Sequence, residues 1–173
     1  MTIDPCTTTG LGATRRRTVS WHDPAVAAAA ALTMSGIEYL RAIRRGRVAP
    51  PPVAGVVLIK LCEVEHGRVV FSCCPDESML NTAGCVHGGV LCTLLDTVAG
   101  CALMSTLPPG KVSMSAEIKV SYLKAVRPDG RQLTAIGTVR KAGSRLGFAE
   151  GVVSDASGAV VATASSTLLV ADL

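Results

Sequence analysis

Between His87 and Thr106 apolar residues recur around the whole circumference of a helix: Val90, Leu91, Leu94, Leu95, Val98, Cys101, Ala102, Leu103 and Met104. A helix that is apolar on every side is a core helix. Asp96, in its middle, is the sole Asp, Glu, Lys or Arg between Glu77 and Lys111. Burying a lone carboxylate is costly, so Asp96 is expected to be paired, hydrogen-bonded or shifted in pKa. Folding alone would be served better by Ala or Leu at that position. Asp96 is therefore the leading functional candidate.

The patterns on either side predict the rest of the architecture. Asp23-Pro24 reads as an N-cap and first helical residue. A helix should run from about Pro24 to Arg45, with a break near Gly36. Arg41, Arg44 and Arg45 suit the negative end of its dipole, and Gly46 stops it. Val48-Ala-Pro50-Pro51-Pro52 reads as an extended linker. Val56–Glu65 and Val69–Cys74 form a hairpin about His66-Gly67. Residues 75–86 are loop, and Pro108-Pro109-Gly110 ends the core helix. Four strands follow, over Lys111–Val126, Gln132–Lys141, Leu146–Ser154 and Ala159–Val170, separated by turn residues.

Short turns make the last four strands an antiparallel meander. One long apolar helix with a sheet able to wrap it defines an α+β layer fold. Such a sheet has edges, and pairing with a second copy covers them, so dimerisation is expected.

Length fits one domain with a substantial core. Aromatic residues make up only 3% of the 173, so the core is built from Val, Leu, Ile and Ala. The net charge of +4 resides in residues 1–54, where seven Arg face three carboxylates; residues 55–173 balance ten against ten. That neutrality argues against a nucleic-acid-binding domain. The seven Cys lack C-x-x-C spacing and His is scarce, so no metal set is implied, and the cysteines read as small hydrophobes in a reducing cytoplasm. No signal-peptide core is present, and Arg15-Arg16-Arg17 is read as part of a flexible tail, not an export signal. A membrane span over 88–107 is rejected because Asp96 and several Gly and Thr interrupt it.

The chemistry gathers where the core helix begins. Asn81-x-x-Gly84-x-x-His87-Gly88-Gly89 precedes Asp96 at a fixed distance. Glycines at a helix start admit a ligand close to the backbone. The free first-turn N–H groups suit a developing oxyanion. Asp96 lies about 12 Å further along the axis, so one chain does not bring both to one reacting atom, and a two-fold partner would supply the other half. His87 is read either as loop scaffold or as a substrate contact. Asn81 is a turn former whose spacing gives it a place in the site. Cys92, one turn before Asp96 and without a nearby basic partner, is read as providing room.

This Asn-x-x-Gly-x-x-His-Gly-Gly-x-x-x-x-x-x-Asp pattern resembles the signature of hotdog-fold acyl-CoA thioesterases, in the phenylacetyl-CoA thioesterase-like (PaaI-like) subfamily. The resemblance covers about residues 35–170. It includes Ser35-Gly36-Ile37-Glu38-Tyr39-Leu40, Pro50–Pro52, Thr106-Leu-Pro-Pro-Gly110 and Glu117-Ile-Lys-Val-Ser-Tyr-Leu123. With the signals before it, the chain divides into a flexible tail over 1–22, an N-terminal helix and Pro-rich linker over 23–54, and, as the resemblance implies, a hotdog domain over 55–173. In it Asp96 matches the carboxylate acting as general base or nucleophile, and Gly88 the backbone N–H that polarises the thioester carbonyl. Asn81 and His87 match residues that hold the loop and approach the thioester. A hydroxyl that positions water is matched by Ser115, with Ser113 the alternative. Gly89 and Thr97 are expected at the substrate. Arg140, Lys141 and Arg145 are candidates for the phosphates of coenzyme A, an ordinary solvated hairpin tip being the other reading. The resemblance implies no cofactor, and shared sites in a dimer that pairs into a tetramer.

Four activities compete: hydrolysis of an aryl- or medium-chain acyl-CoA, acyl-CoA binding without turnover, enoyl-CoA hydration, and hydrolysis of acyl groups on a carrier protein. Retention of Asp96 favours a hydrolase. Hydration expects Asp-x-x-x-x-His, whereas His87 here precedes the carboxylate.

Overall fold

Asp23 begins the ordered helices as expected: its carboxylate accepts the Ala25 N–H at 2.9 Å, with Pro24 in the first turn. The computed structural model describes residues 12–173, so Cys6 and the first half of the expected tail lie outside the described residues. The expected long helix is two, α1 (Pro24–Ala31) and α2 (Gly36–Arg44). Ser35 starts the second, where the Glu38 carboxylate accepts its backbone N–H at 3.0 Å. Gly36 is required there by proximity: a Cβ would stand 1.7 Å from the Met104 carbonyl oxygen.

The proline linker is extended only as far as Pro51. Pro52, tolerated in a first turn because its missing N–H would have had no partner, opens a short helix α3 (Pro52–Val56). Leu58, with φ of 51°, turns the chain, and strand β1 (Ile59–Glu65) starts three residues later than the apolar run. β2 (Arg68–Cys73) returns beside it. A 3-10 turn (Glu77–Met79) and a loop lead to α4 (Gly88–Met104), followed by β3 (Lys111–Tyr122), β4 (Leu133–Ala142), β5 (Leu146–Ser154) and β6 (Val160–Asp172).

The six strands form one antiparallel sheet in the order β1-β2-β4-β5-β6-β3. The expected meander is thus corrected. β3 pairs with β6 at the sheet edge, and β4 enters between β2 and β5. Residues 123–132 are no hairpin turn but a connection crossing the sheet end, where the Val86 N–H donates to the Val126 carbonyl at 2.8 Å. Turn residues at Pro128-Asp129-Gly130 mark a bend, and bends alone do not say which strands meet.

The sheet curls around α4, whose Leu94, Leu95, Val98, Ala99, Ala102 and Leu103 are fully buried against it. Contact is close enough to exclude side chains: a Cβ on Gly137 of β4 would lie 2.0 Å from the Val98 carbonyl oxygen. The β1–β2 turn is tied to the other end of α4, where the buried Ser105 hydroxyl accepts the Gly67 N–H at 2.8 Å and donates to the Ala102 carbonyl at 2.7 Å. Leu40 of α2 and Ala54 of α3 belong to the same core, so the N-terminal helices complete it. Among the described residues, no helix is long and apolar enough to cross a membrane.

Gly137→Ala is expected to destabilise the fold by roughly 1–3 kcal/mol, because a backbone carbonyl must move to admit the methyl. Urea unfolding of the two proteins side by side measures this.

Candidate active site

One stripe of α4 escapes the sheet. Gly89 is exposed and Cys92, Thr93, Asp96, Thr97 and Gly100 are half-buried, so the helix is not enclosed on every side as its composition predicts. Asp96 is hydrogen-bonded: the Ser115 hydroxyl of β3 donates to its Oδ1 at 2.5 Å. Ser113, the alternative, donates instead to the Gly100 carbonyl at 2.8 Å. β3 carries a bulge between Ser115 and Glu117. Strand side chains alternate between faces, so Ser115 and Tyr122 would otherwise point to opposite sides. The bulge at Ala116 lets both face α4, and Tyr122 donates its hydroxyl to the Gly88 carbonyl at 2.9 Å.

The loop before α4 is built from its own polar groups. Asn81 Oδ1 accepts the N–H groups of Ala83 at 2.9 Å and Cys85 at 3.1 Å, and the Asn81 N–H donates to the Cys85 carbonyl at 2.8 Å. Its side-chain oxygen is thus used within the turn. His87 is the N-cap of α4: its Nδ1 accepts the Gly89 N–H at 2.9 Å, which puts the ring proton on Nε2. Gly88 is the first helical residue, whose N–H has no partner within the helix. Thr97 turns its hydroxyl onto the Thr93 carbonyl at 2.7 Å.

Asp96, Ser115 and Thr97 therefore lie together along α4, and Asn81, His87, Gly88 and Gly89 lie together at its start. Two turns of helix separate the groups. Arg140, Lys141 and Arg145 join neither. Arg140 pairs with Glu150 at 2.6 Å, and the hairpin tip lies beyond Gly147, which packs on Leu103 near the far end of α4. The cations nearer Gly88 are different ones. A surface groove of about 300 Å³ beside Gly88 and Tyr122 shares Lys124–Val126 with a depression of about 360 Å³ lined by Lys124, Arg127 and Arg131, of which Lys124 pairs with Asp155 at 2.7 Å and Arg131 with Asp129 at 3.3 Å.

Two features were not visible in the sequence as site components. Tyr122 was one residue of a strand; burial pushes its phenol up, with the Cys92 thiol adding to the effect. Arg17, expected in a flexible tail, is tied down by an ion pair with Asp76 at 3.0 Å and by donation to the Val56 carbonyl. It borders a depression of about 380 Å³ that also contains His87, Gly89 and Thr93. Cys101, next to this stripe, has its thiol pushed up to about 12 by burial and by the charge of Asp96, so it stays protonated and is no nucleophile.

A carboxylate held by a hydroxyl on an open helix face, with the Gly88 N–H unpaired at the start of that helix and an antiparallel sheet wrapped around it, is an arrangement chemically suited to acyl transfer. Comparison with known proteins agrees on the fold. Residues 83–162 match the sequence model of the Thioesterase superfamily, and the antiparallel sheet wrapped around α4 is the hotdog fold. An esterase-like protein of Halobacterium salinarum is 42% identical over 69 residues, 39% of this chain; the match spans 44% of that relative's length. Human acyl-coenzyme A thioesterase 13 is 25% identical over 117 residues, covering 68% of this chain and 80% of that protein. A solved structure from Ralstonia eutropha JMP134, described as a phenylacetic acid degradation-related protein, superposes with a TM-score of 0.70 at 26% identity, over 76% of this chain and 98% of that one.

His87→Ala is expected to lower stability by about 1 kcal/mol through loss of the α4 cap. Denaturant unfolding checks this, and a change within a few tenths of a kcal/mol would return His87 to the substrate side of the site.

Proposed function

We propose that the protein hydrolyses the thioester of an aryl- or medium-chain acyl-CoA, releasing the acid and coenzyme A. The observation that carries this reading is the Asp96–Ser115 hydrogen bond on the open stripe of α4. Ser115 occupies Oδ1 and leaves Oδ2 to accept a proton from water. That water attacks the carbonyl carbon while the Gly88 N–H donates to the oxygen that becomes negative. Collapse of the tetrahedral intermediate expels the CoA thiolate, and the proton held by Asp96 returns to the sulfur. Direct attack by Asp96 gives the same products through an acyl-enzyme anhydride.

The two halves of the site lie about 12 Å apart along one helix. β3 is a twelve-residue edge strand. Two-fold antiparallel pairing of β3 with its copy sets two α4 helices side by side in opposite directions, bringing Asp96 of one protomer towards Gly88 of the other. The working unit is accordingly a dimer with shared sites, and pairing of dimers gives a tetramer. The phosphates of coenzyme A meet Lys124, Arg127 and Arg131 along the groove from Gly88, with Arg140, Lys141 and Arg145 as candidates from across the two-fold axis. The described cysteines are all free, which suits a cytoplasmic protein.

Thiol release from acyl-CoAs of increasing length, and from phenylacetyl- and benzoyl-CoA, tests the reading. Asp96→Asn is expected to lower kcat by about 10²–10⁴-fold while calorimetric binding persists. Binding without turnover in either protein would instead make this an acyl-CoA-binding module. Turnover confined to acyl groups on a carrier protein would move the substrate while keeping the chemistry.

A further inference from the structure

A cavity of about 210 Å³ lies between the N-terminal helices and α4. Leu40 and Ile43 of α2 and Ala54 of α3 line one side, Phe71 of β2 another, and Thr97 and Cys101 of α4 a third. Arg44 and Lys60, both exposed, are its sole charged lining residues. Apolar pockets of this kind are where ligands bind.

Its position relative to Asp96 is specific. Thr97 is the next residue, about 100° around the helix, and Cys101 lies about 140° around and just over one turn on. The Thr97 hydroxyl is bonded back to Thr93, so its hydrogen-bonding capacity is met within the helix.

We propose that this cavity receives the acyl group of the thioester cleaved at Asp96, and that α2 and α3 set the length it accepts. The inference rests on the hydrolase reading above and adds the identity of the acyl group. Liquid water takes about 30 Å³ per molecule, so the cavity holds roughly seven non-hydrogen atoms. With the carbonyl outside at its N–H donor, that number fits an eight-carbon chain or a single aromatic ring on one methylene. A sixteen-carbon chain exceeds that volume. The roof lies outside residues 83–162, the stretch that matches the superfamily's sequence model.

Ala54→Leu fills the cavity and Ile43→Ala enlarges it, and neither residue touches the reacting atoms. The experiment compares kcat/KM from acetyl- to palmitoyl-CoA for wild type and both variants, with melting temperature as a check on folding. Ala54→Leu is expected to keep acetyl-CoA turnover and lose octanoyl- and phenylacetyl-CoA turnover by about tenfold or more. Ile43→Ala should move the optimum to longer chains, and it carries the test if Ala54→Leu does not fold. Length profiles parallel to wild type in every folded variant would overturn the acyl-pocket assignment and leave the hydrolase intact. Absence of turnover for every acyl-CoA in wild type would overturn the hydrolase reading, and the assignment with it.

Discussion

Everything in this fold follows from the close seating of one apolar helix on one sheet. β4 and β5 can approach α4 because Gly137 and Gly151 present no side chains where the backbone and Leu95 of α4 pass. That approach buries Leu94, Leu95, Val98, Ala102 and Leu103 completely, and removing apolar surface from water stabilises the fold. A sheet closed around a helix on most sides leaves a remaining side. Asp96 lies on that open stripe, wet enough to hold a carboxylate and near enough to β3 to receive the Ser115 hydroxyl. The core and the site are two faces of the same packing.

The second consequence concerns the ends. The first-turn N–H groups of α4 cannot be satisfied within the helix, and the loop of Asn81 and His87 satisfies only part of them. Those loop residues act by holding geometry: one closes a turn, the other caps the helix. The N-terminal helices, tied to the core through Leu40 and Ala54, cover part of the open side of α4 and enclose the apolar cavity beside Asp96. Burial, charge and space thus converge on one stretch of helix without any residue being strained to serve all three.

Much of this was legible in the chain. The Asp in an otherwise apolar helix, the paired glycines before it and the alternating strands after it each have a direct physical reading: the helix and the four strands form close to where it puts them, and Asp96 is hydrogen-bonded as expected. Strand order was not legible, because turn chemistry reports that a chain bends and not which edge it joins; β3 therefore went to β6. Tyr122 escaped for a related reason. Parity along β3 puts it opposite Ser115, and the single-residue bulge at Ala116 that reverses the parity leaves no mark in Ser-Ala-Glu. Arg17 was hidden by composition, since three consecutive Arg read as a solvated tail until a partner such as Asp76 is brought alongside.

The central claim is that Asp96 of one protomer works with the Gly88 N–H of another. Subunit complementation addresses it directly. Gly88→Pro removes that N–H at a first helical position, where the backbone admits proline once the Tyr122 ring, 3.1 Å from a Cβ there, gives way, and Asp96→Asn removes the carboxylate. Each variant alone should be nearly inactive. Mixed, with subunit exchange verified, half of the dimers carry one intact site, so activity should recover to about a quarter of wild type. No recovery despite exchange would contradict the shared site and place all the chemistry within one chain.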